Sequence, residues 1–308
     1  MKTLTQSKVT RINPIVILLI ALAAGSFAAI FMKAAQNAGM PSHLIAAGRM
    51  LLAALALTPL VIQKYRPELR RLDRRDLLMS MFAGFWLASH FLMLVSALET
   101  TSIMIFTVFL NTGPLWVALL ERTFLKVKLS LGVWIGLFIT ISGSVFIALT
   151  ANNGNQATEG NMLTGIILTL IAAIAGSIYM IIGRSIRSKI SLVPYIWIVF
   201  GMGGILGFLF VFATGTPLLG LPTESYFWLI ALTIVAQLIG HSGFNYVLAF
   251  FPATMLSLSW QIMTITAAFA AFLIFGEVPT MMHIIGSGII ACGVVVAILA
   301  RQRQAKVI

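Results

Sequence analysis

The run PIVILLIALAAGSFAAIFMKAAQ, residues 14–36, carries one cation, Lys33, in an otherwise uncharged and largely apolar stretch. At about 1.5 Å of rise per residue, a helix of this length crosses the ~30 Å hydrocarbon core of a bilayer. It follows Lys8 and Arg11, and Ala21-Leu22-Ala23 resembles a leader cleavage site, so a secretory leader is the competing reading. The run continues to about Ala35, however, and its kind recurs along the chain, near 42–63, 76–97, 101–120, 129–150, 161–183, 193–213, 225–249, 254–275 and 279–300. The pattern predicts an all-α polytopic membrane protein with ten transmembrane helices. The connections are short and polar, the longest near Lys64–Arg75 and Ala151–Gly160, and leave no room for a soluble domain.

Composition points the same way. Of the 308 residues 60% are hydrophobic and 9% charged, where a soluble domain charges roughly a quarter of its positions. The net charge of +12 is not read as a nucleic-acid footprint, because the basic residues sit in short blocks between apolar runs instead of clustering on one folded face. With the N-terminus inside, eighteen of the twenty Lys and Arg fall on the cytoplasmic side, leaving Lys33 and Arg49. Glu99, Glu159, Glu224 and Glu277 fall in the outer loops. Both termini are therefore expected in the cytoplasm of a cell (inner) membrane protein. Cys292, the sole cysteine, lies in an apolar run and reads as a packing residue. The four histidines lack metal-ligand spacing, so no metal and no other cofactor is expected.

The chain also repeats itself. Ile20-Ala21-Leu22-Ala23-Ala24-Gly25-Ser26 matches Ile171-Ala172-Ala173-Ile174-Ala175-Gly176-Ser177, and a cation follows seven residues after each Ser, Lys33 and Arg184. Gly136 and Gly143 correspond to Gly286 and Gly293 at the same offset of about 150. Two five-helix units are expected, at 14–150 and 161–300, with tails at 1–13 and 301–308. Five is odd, so the second unit enters the membrane inverted, an arrangement typical of secondary transporters that bind substrate near the midplane. Small-residue motifs also recur in helical membrane proteins for packing alone.

With these motifs the chain resembles the EamA-like family of the drug/metabolite transporter superfamily. The resemblance rests on the 5+5 arrangement, Gly25-Ser26, Arg49 early in the second span, Pro114, Gly276-Glu277 and the Gly-rich fifth and tenth spans. The first unit departs from the pattern with Leu125-Lys126 in place of a Gly-Glu pair, and the second has Thr266 opposite Pro114. The resemblance implies a carrier of amino acids, other small metabolites or drugs, commonly moving them outward.

Candidate substrate-binding residues follow from polar groups at depth. Apart from Asp76, the first residue of its run, no Asp or Glu falls within a predicted span, so any proton coupling would need a histidine or an exchange partner. Arg49 lies about eight residues into its helix; it either binds a carboxylate or other anion in a cavity, or clamps backbone carbonyls and snorkels outward. Gln237, His241 and Asn245 stand at i, i+4 and i+8, one face of an α-helix, and would line a wet cavity or bond other helices. Ser257, Gln261 and Thr264 beside Trp260, and Thr107, Asn111 and Pro114, repeat the spacing. His90 sits one turn from Trp86; either it or His241 could shuttle protons, or stand as a neutral hydrogen-bonded imidazole. Trp86, Tyr179, Trp197, Tyr246 and Trp260 line a pocket or face lipid. A membrane enzyme would need a nucleophile–base pair, metal ligands or paired carboxylates, and no GxSxG, HExxH or carboxylate pair is present. The expected partners are a small-molecule solute and the lipid bilayer, with no nucleic acid; monomer or homodimer is left open.

Overall fold

The computed structural model describes residues 12–100, 103–150, 162–275 and 280–307, which are helical with no strand among them. The first apolar run forms α1 (Pro14–Ser26) and α2 (Ala28–Asn37), broken at Phe27. Ser26 donates its hydroxyl to the carbonyl of Leu22 at 2.7 Å, the back-bonding that bends helices. Gly39, at φ +92°, closes α2. Next, α3 (Ser42–Leu60) passes through a π-helical turn, Val61–Tyr65, into α4 (Arg66–Arg70). Pro59 offers no N–H to the ladder, and the widened turn begins two residues later. The first half continues with α5 (Arg74–Thr100), α6 (Ile103–Leu110), α7 (Gly113–Phe124) and α8 (Leu131–Thr150).

The second half holds α9 (Met162–Ile186), α10 (Leu192–Ala213), α11 (Thr223–Leu232), a nine-residue π-helical stretch Thr233–His241, α12 (Ser242–Val247), α13 (Ala253–Phe275) and α14 (Met281–Val307).

Among the described residues, seven helices are long and apolar enough to cross a membrane, against the ten expected. The fourth expected span is the clearest departure. It divides into α6 and α7 because Pro114, in the first turn of α7, cannot donate to the preceding turn. In the fifth, the apolar helix is the shorter Leu131–Ile147, and the ninth corresponds to α13. Gly276-Glu277 and Glu159 lie outside the described residues.

The helices pair in a way that survives exchanging the halves. α3 packs on α10 and α7 on α13. The pairing of α5 with α9 is answered by that of α1 with the π-helical stretch and α12. Most direct is α8 against α14. A Cβ on Gly136 would stand 2.6 Å from the carbonyl of Gly293, and one on Gly293 2.7 Å from that of Gly136. Gly143 and Gly286 approach in the same reciprocal way, at 3.0 and 3.2 Å. The two helices thus run antiparallel, backbone on backbone, a closeness that glycine alone permits.

Apolar side chains face outward around the bundle: Leu19, Leu55, Phe138, Ile205, Phe212 and Val295 are all more than half exposed. An apolar belt of this extent marks a surface matched to lipid. Cys292 is exposed on α14, not packed inside as expected, because it projects from this outer face.

One end of the bundle is cross-linked by polar contacts among segments the charge pattern assigns to one side. Lys189 pairs with Asp76 at 3.1 Å, and Glu68 accepts from the Ser191 amide at 2.7 Å. The Lys128 carbonyl accepts from Arg301 and Gln304. Arg184 donates to the Leu248 carbonyl at 2.7 Å, and Arg187 to those of Asn245 and Ile190, capping the C-terminus of α12. Arg187, expected in a solvated loop, is buried, and desolvation lowers its pKa to about 10. Glu121, one residue beyond the predicted fourth span, is 1% exposed. Its carboxylate accepts from the amides of Ala253 and Thr254, at 2.9 and 3.1 Å, and from the Thr254 hydroxyl at 2.5 Å, holding the N-terminus of α13.

Candidate functional site

The break between α6 and α7 opens the backbone near mid-helix, and a cavity of about 240 Å³ lies beside it. Its walls come from α5, the α6–α7 break, α9, α12, α13 and the end of the π-helical stretch, so both halves contribute. Its floor is small. Gly176 faces the His90 ring so closely that a Cβ would sit 2.8 Å from Nδ1, and Ser177 bonds the carbonyls of Ala173 and Gly113.

Five of the residues expected at the site meet in this cavity: His90, Asn111, His241, Trp260 and Gln261. His90 Nδ1 lies 2.7 Å from the Ala172 carbonyl, which accepts from the ring and selects the tautomer. Gln261 is engaged at both ends of its amide, its Nε2 donating to the Asn111 carbonyl at 3.3 Å and its Oε1 accepting from Ser144 at 3.0 Å. The other three keep unused polar atoms. Asn111 Nδ2, Trp260 Nε1 and His241 Nδ1 are buried with no hydrogen-bond partner among the described residues. His241 also packs edge-on to Phe91, Phe244 and Trp260, with ring centroids 5.5–6.3 Å apart. Trp260 and Phe244 meet at 5.3 Å.

The rest of the expected set lies elsewhere. Gln237 accepts from Arg49 Nε at 2.7 Å, and Asn245 donates to Tyr179 at 2.6 Å and to the His241 carbonyl at 2.7 Å. The three residues expected on one face are thus spread over three environments. Gln237 and His241 belong to a π-helical stretch, whose i→i+5 bonding changes the number of residues per turn. Trp86 packs edge-on to Phe82 and Phe85, away from the cavity. Trp197 bonds Thr58 and Tyr246 bonds the Ile12 carbonyl. Of the five expected pocket aromatics, only Trp260 lines the cavity. The side chain of Thr264 lies outside the described residues, and Lys33 is exposed.

Arg49 is buried at 4% exposure and does not line the cavity. Its guanidinium carbon lies 4.6 Å above the Phe91 ring, and Phe91 touches His90 and His241 on the cavity side. Phe91 and Phe244 were not singled out from the sequence. Apolar side chains on apolar helices carry no local signal of which face meets a cavity. Among the described residues the walls hold no Asp, Glu, Lys or Arg. The cavity therefore offers hydrogen-bond donors and aromatic faces, the equipment to orient a solute with polar acceptors and an apolar or cationic part.

A model described as the EamA-like transporter family matches residues 13–149 and again 163–299. The chain is 25% identical over 292 residues to "Uncharacterized transporter YdfC" of Bacillus subtilis (strain 168), covering 94% of this chain and 92% of that protein. It is 23% identical over 279 residues to "Uncharacterized transporter YxxF" of the same organism, covering 88% and 86%. A solved crystal structure, described only as that of a protein, superposes with a TM-score of 0.76 at 16% identity, over 94% of this chain and 98% of that one. That likeness concerns the fold.

Proposed function

The chain belongs to the EamA-like transporter family, and from that premise we propose that it exports small zwitterionic metabolites such as amino acids by alternating access. Substrate binds in the cavity between the halves, in a ten-crossing bundle whose termini both face the cytoplasm. The observation that carries this reading is the convergence of Asn111 Nδ2, Trp260 Nε1 and His241 Nδ1, buried and without hydrogen-bond partners among the described residues, on one cavity. Buried polar groups are costly unless bonded. Asn111 and Trp260 can each donate to a carboxylate or carbonyl oxygen, and the faces of Trp260 and Phe244 suit an ammonium group or an apolar side chain. That no carboxylate lines the cavity among the described residues favours exchange or a histidine relay over coupling through Asp or Glu.

A counterflow screen of amino acids and related metabolites in proteoliposomes tests the reading. A solute that exchanges with the wild type should lose most of its flux in Trp260→Phe and Asn111→Leu, while Trp86→Phe, outside the cavity, transports normally. Equal flux in all three would remove the cavity from the transport path.

A second reading, exchange of anionic metabolites, is favoured by one feature: Arg49 has no carboxylate partner among the described residues.

A further inference from the structure

We infer that Arg49 and Gln237 form a binding site for one small, singly charged anion, a carboxylate or a halide, between α3 and the π-helical stretch and behind Phe91. A guanidinium at 4% exposure normally faces a carboxylate. Here its Nε is committed to Gln237 Oε1 at 2.7 Å, and its carbon rests over Phe91. The single ion pair among the described residues joins Asp76 and Lys189, at one end of the bundle. The positive charge of Arg49 therefore has no carboxylate partner among the described residues.

The second observation is what stands beside it. Gln237 is fully buried, and with its oxygen turned to Arg49 its amide nitrogen is left over. Arg49 Nη2 and Gln237 Nε2 are both buried donors without a hydrogen-bond partner among the described residues. Two unpartnered donors on side chains joined by a 2.7 Å bond, one bearing a full positive charge, call for an acceptor with a negative charge. One guanidinium balances one charge, and two donors suit a carboxylate or a halide better than a phosphate with its three or more acceptor oxygens. The parts come from both halves, α3 of the first and the π-helical stretch of the second. That stretch also ends in His241, at the cavity. An occupant would therefore tie α3 to a cavity-lining segment.

The anion has two possible sources. A halide would be a resident ion that neutralises the site, independent of transport. A carboxylate would be one end of the transported solute, reaching past Phe91 while its body fills the cavity; only this version rests on the transport reading above.

Thermal unfolding of the purified full chain in detergent, at fixed ionic strength, distinguishes them. The sodium salt of a bulky sulfonate (MES) would be replaced stepwise by sodium chloride, or by sodium acetate as the carboxylate probe. Wild type should show a saturable rise in Tm, on the order of 5 °C at a hundredfold excess over Kd. Arg49→Gln and Gln237→Leu should lose that rise, and Arg49→Lys should keep part of it. A response to chloride assigns a resident halide; a response to acetate without chloride assigns the carboxylate. Gln237→Leu leaves the charge in place, so it reads the site even if Arg49→Gln does not fold. No saturable response in wild type to either anion, or an undiminished one in Gln237→Leu, overturns the proposal. The assay needs no transport, so its failure leaves the cavity variants to decide the transport reading separately.

Discussion

Removing the Glu121 carboxylate tests whether α13 is held by its N-terminus. In the folded chain this buried side chain serves two backbone amides and one hydroxyl on α13. Glu121→Ala leaves the amides of Ala253 and Thr254 buried without a partner, at about 1–3 kcal/mol each. It also removes a negative charge from a helix N-terminus, worth up to ~2 kcal/mol when partly buried. Water entering the gap offsets some of this, so a net loss of about 3–6 kcal/mol is expected. At roughly 2 °C per kcal/mol for a chain of this size, Tm falls by ~6–12 °C. Glu121→Gln keeps one acceptor and should fall by about half as much. Thr254→Ala removes one bond and its donor together, costing about 1–2 kcal/mol and ~2–4 °C. Thermal unfolding of the four proteins in one detergent supplies the ranking. If Glu121→Ala is no less stable than Thr254→Ala, the carboxylate does not anchor the helix.

Three further outcomes follow. Gly293→Val should yield no monodisperse folded protein by size-exclusion chromatography, since a Cβ there lies 2.5 Å from the Thr140 backbone nitrogen, whereas Gly288→Ala, with nothing within 4 Å, should behave as wild type. Gly176→Ala pushes a methyl against His90 and should weaken solute affinity in counterflow at least several-fold, with Tm lowered by only a few degrees. Single cysteines placed at the two tails in a Cys292→Ser background should be labelled by a membrane-impermeant reagent from the same face. Labelling from opposite faces would refute an even number of crossings.

Much of this architecture was legible in the sequence because it is written in short-range chemistry. Apolar runs of membrane length, and a Gly-Ser heptapeptide that recurs about 150 residues later, reveal helices and duplication without any contact being known. Pro114 stands within the fourth run, but nothing in the sequence announces that the run divides at Asn111. The candidate site was only half readable. His241, Asn111 and Gln261 stood out as polar residues at depth, but grouping Gln237 with His241 assumed α-helical winding, and no local signal marks the π-helical stretch. The partner of Arg49 lies 188 positions away, a distance over which periodicity says nothing. Glu121 falls just outside an apolar run, where nothing local marks a charge as buried, and its burial depends on a helix terminus more than 130 positions downstream.

The α8–α14 crossing bears on how such a bundle moves. With backbone against backbone at Gly136, Gly143, Gly286 and Gly293, and Thr140, Ile147 and Ile290 packed close against these glycines, sliding along the seam would drive carbonyls and side chains into one another. Rotation about the crossing meets no such obstacle. Among the described residues, none around the cavity comes from either helix, so the seam can act as a fixed pivot while the elements that enclose the solute swing. Any cycle that bares the chamber first to one compartment and then to the other must rock on this axle instead of shearing across it.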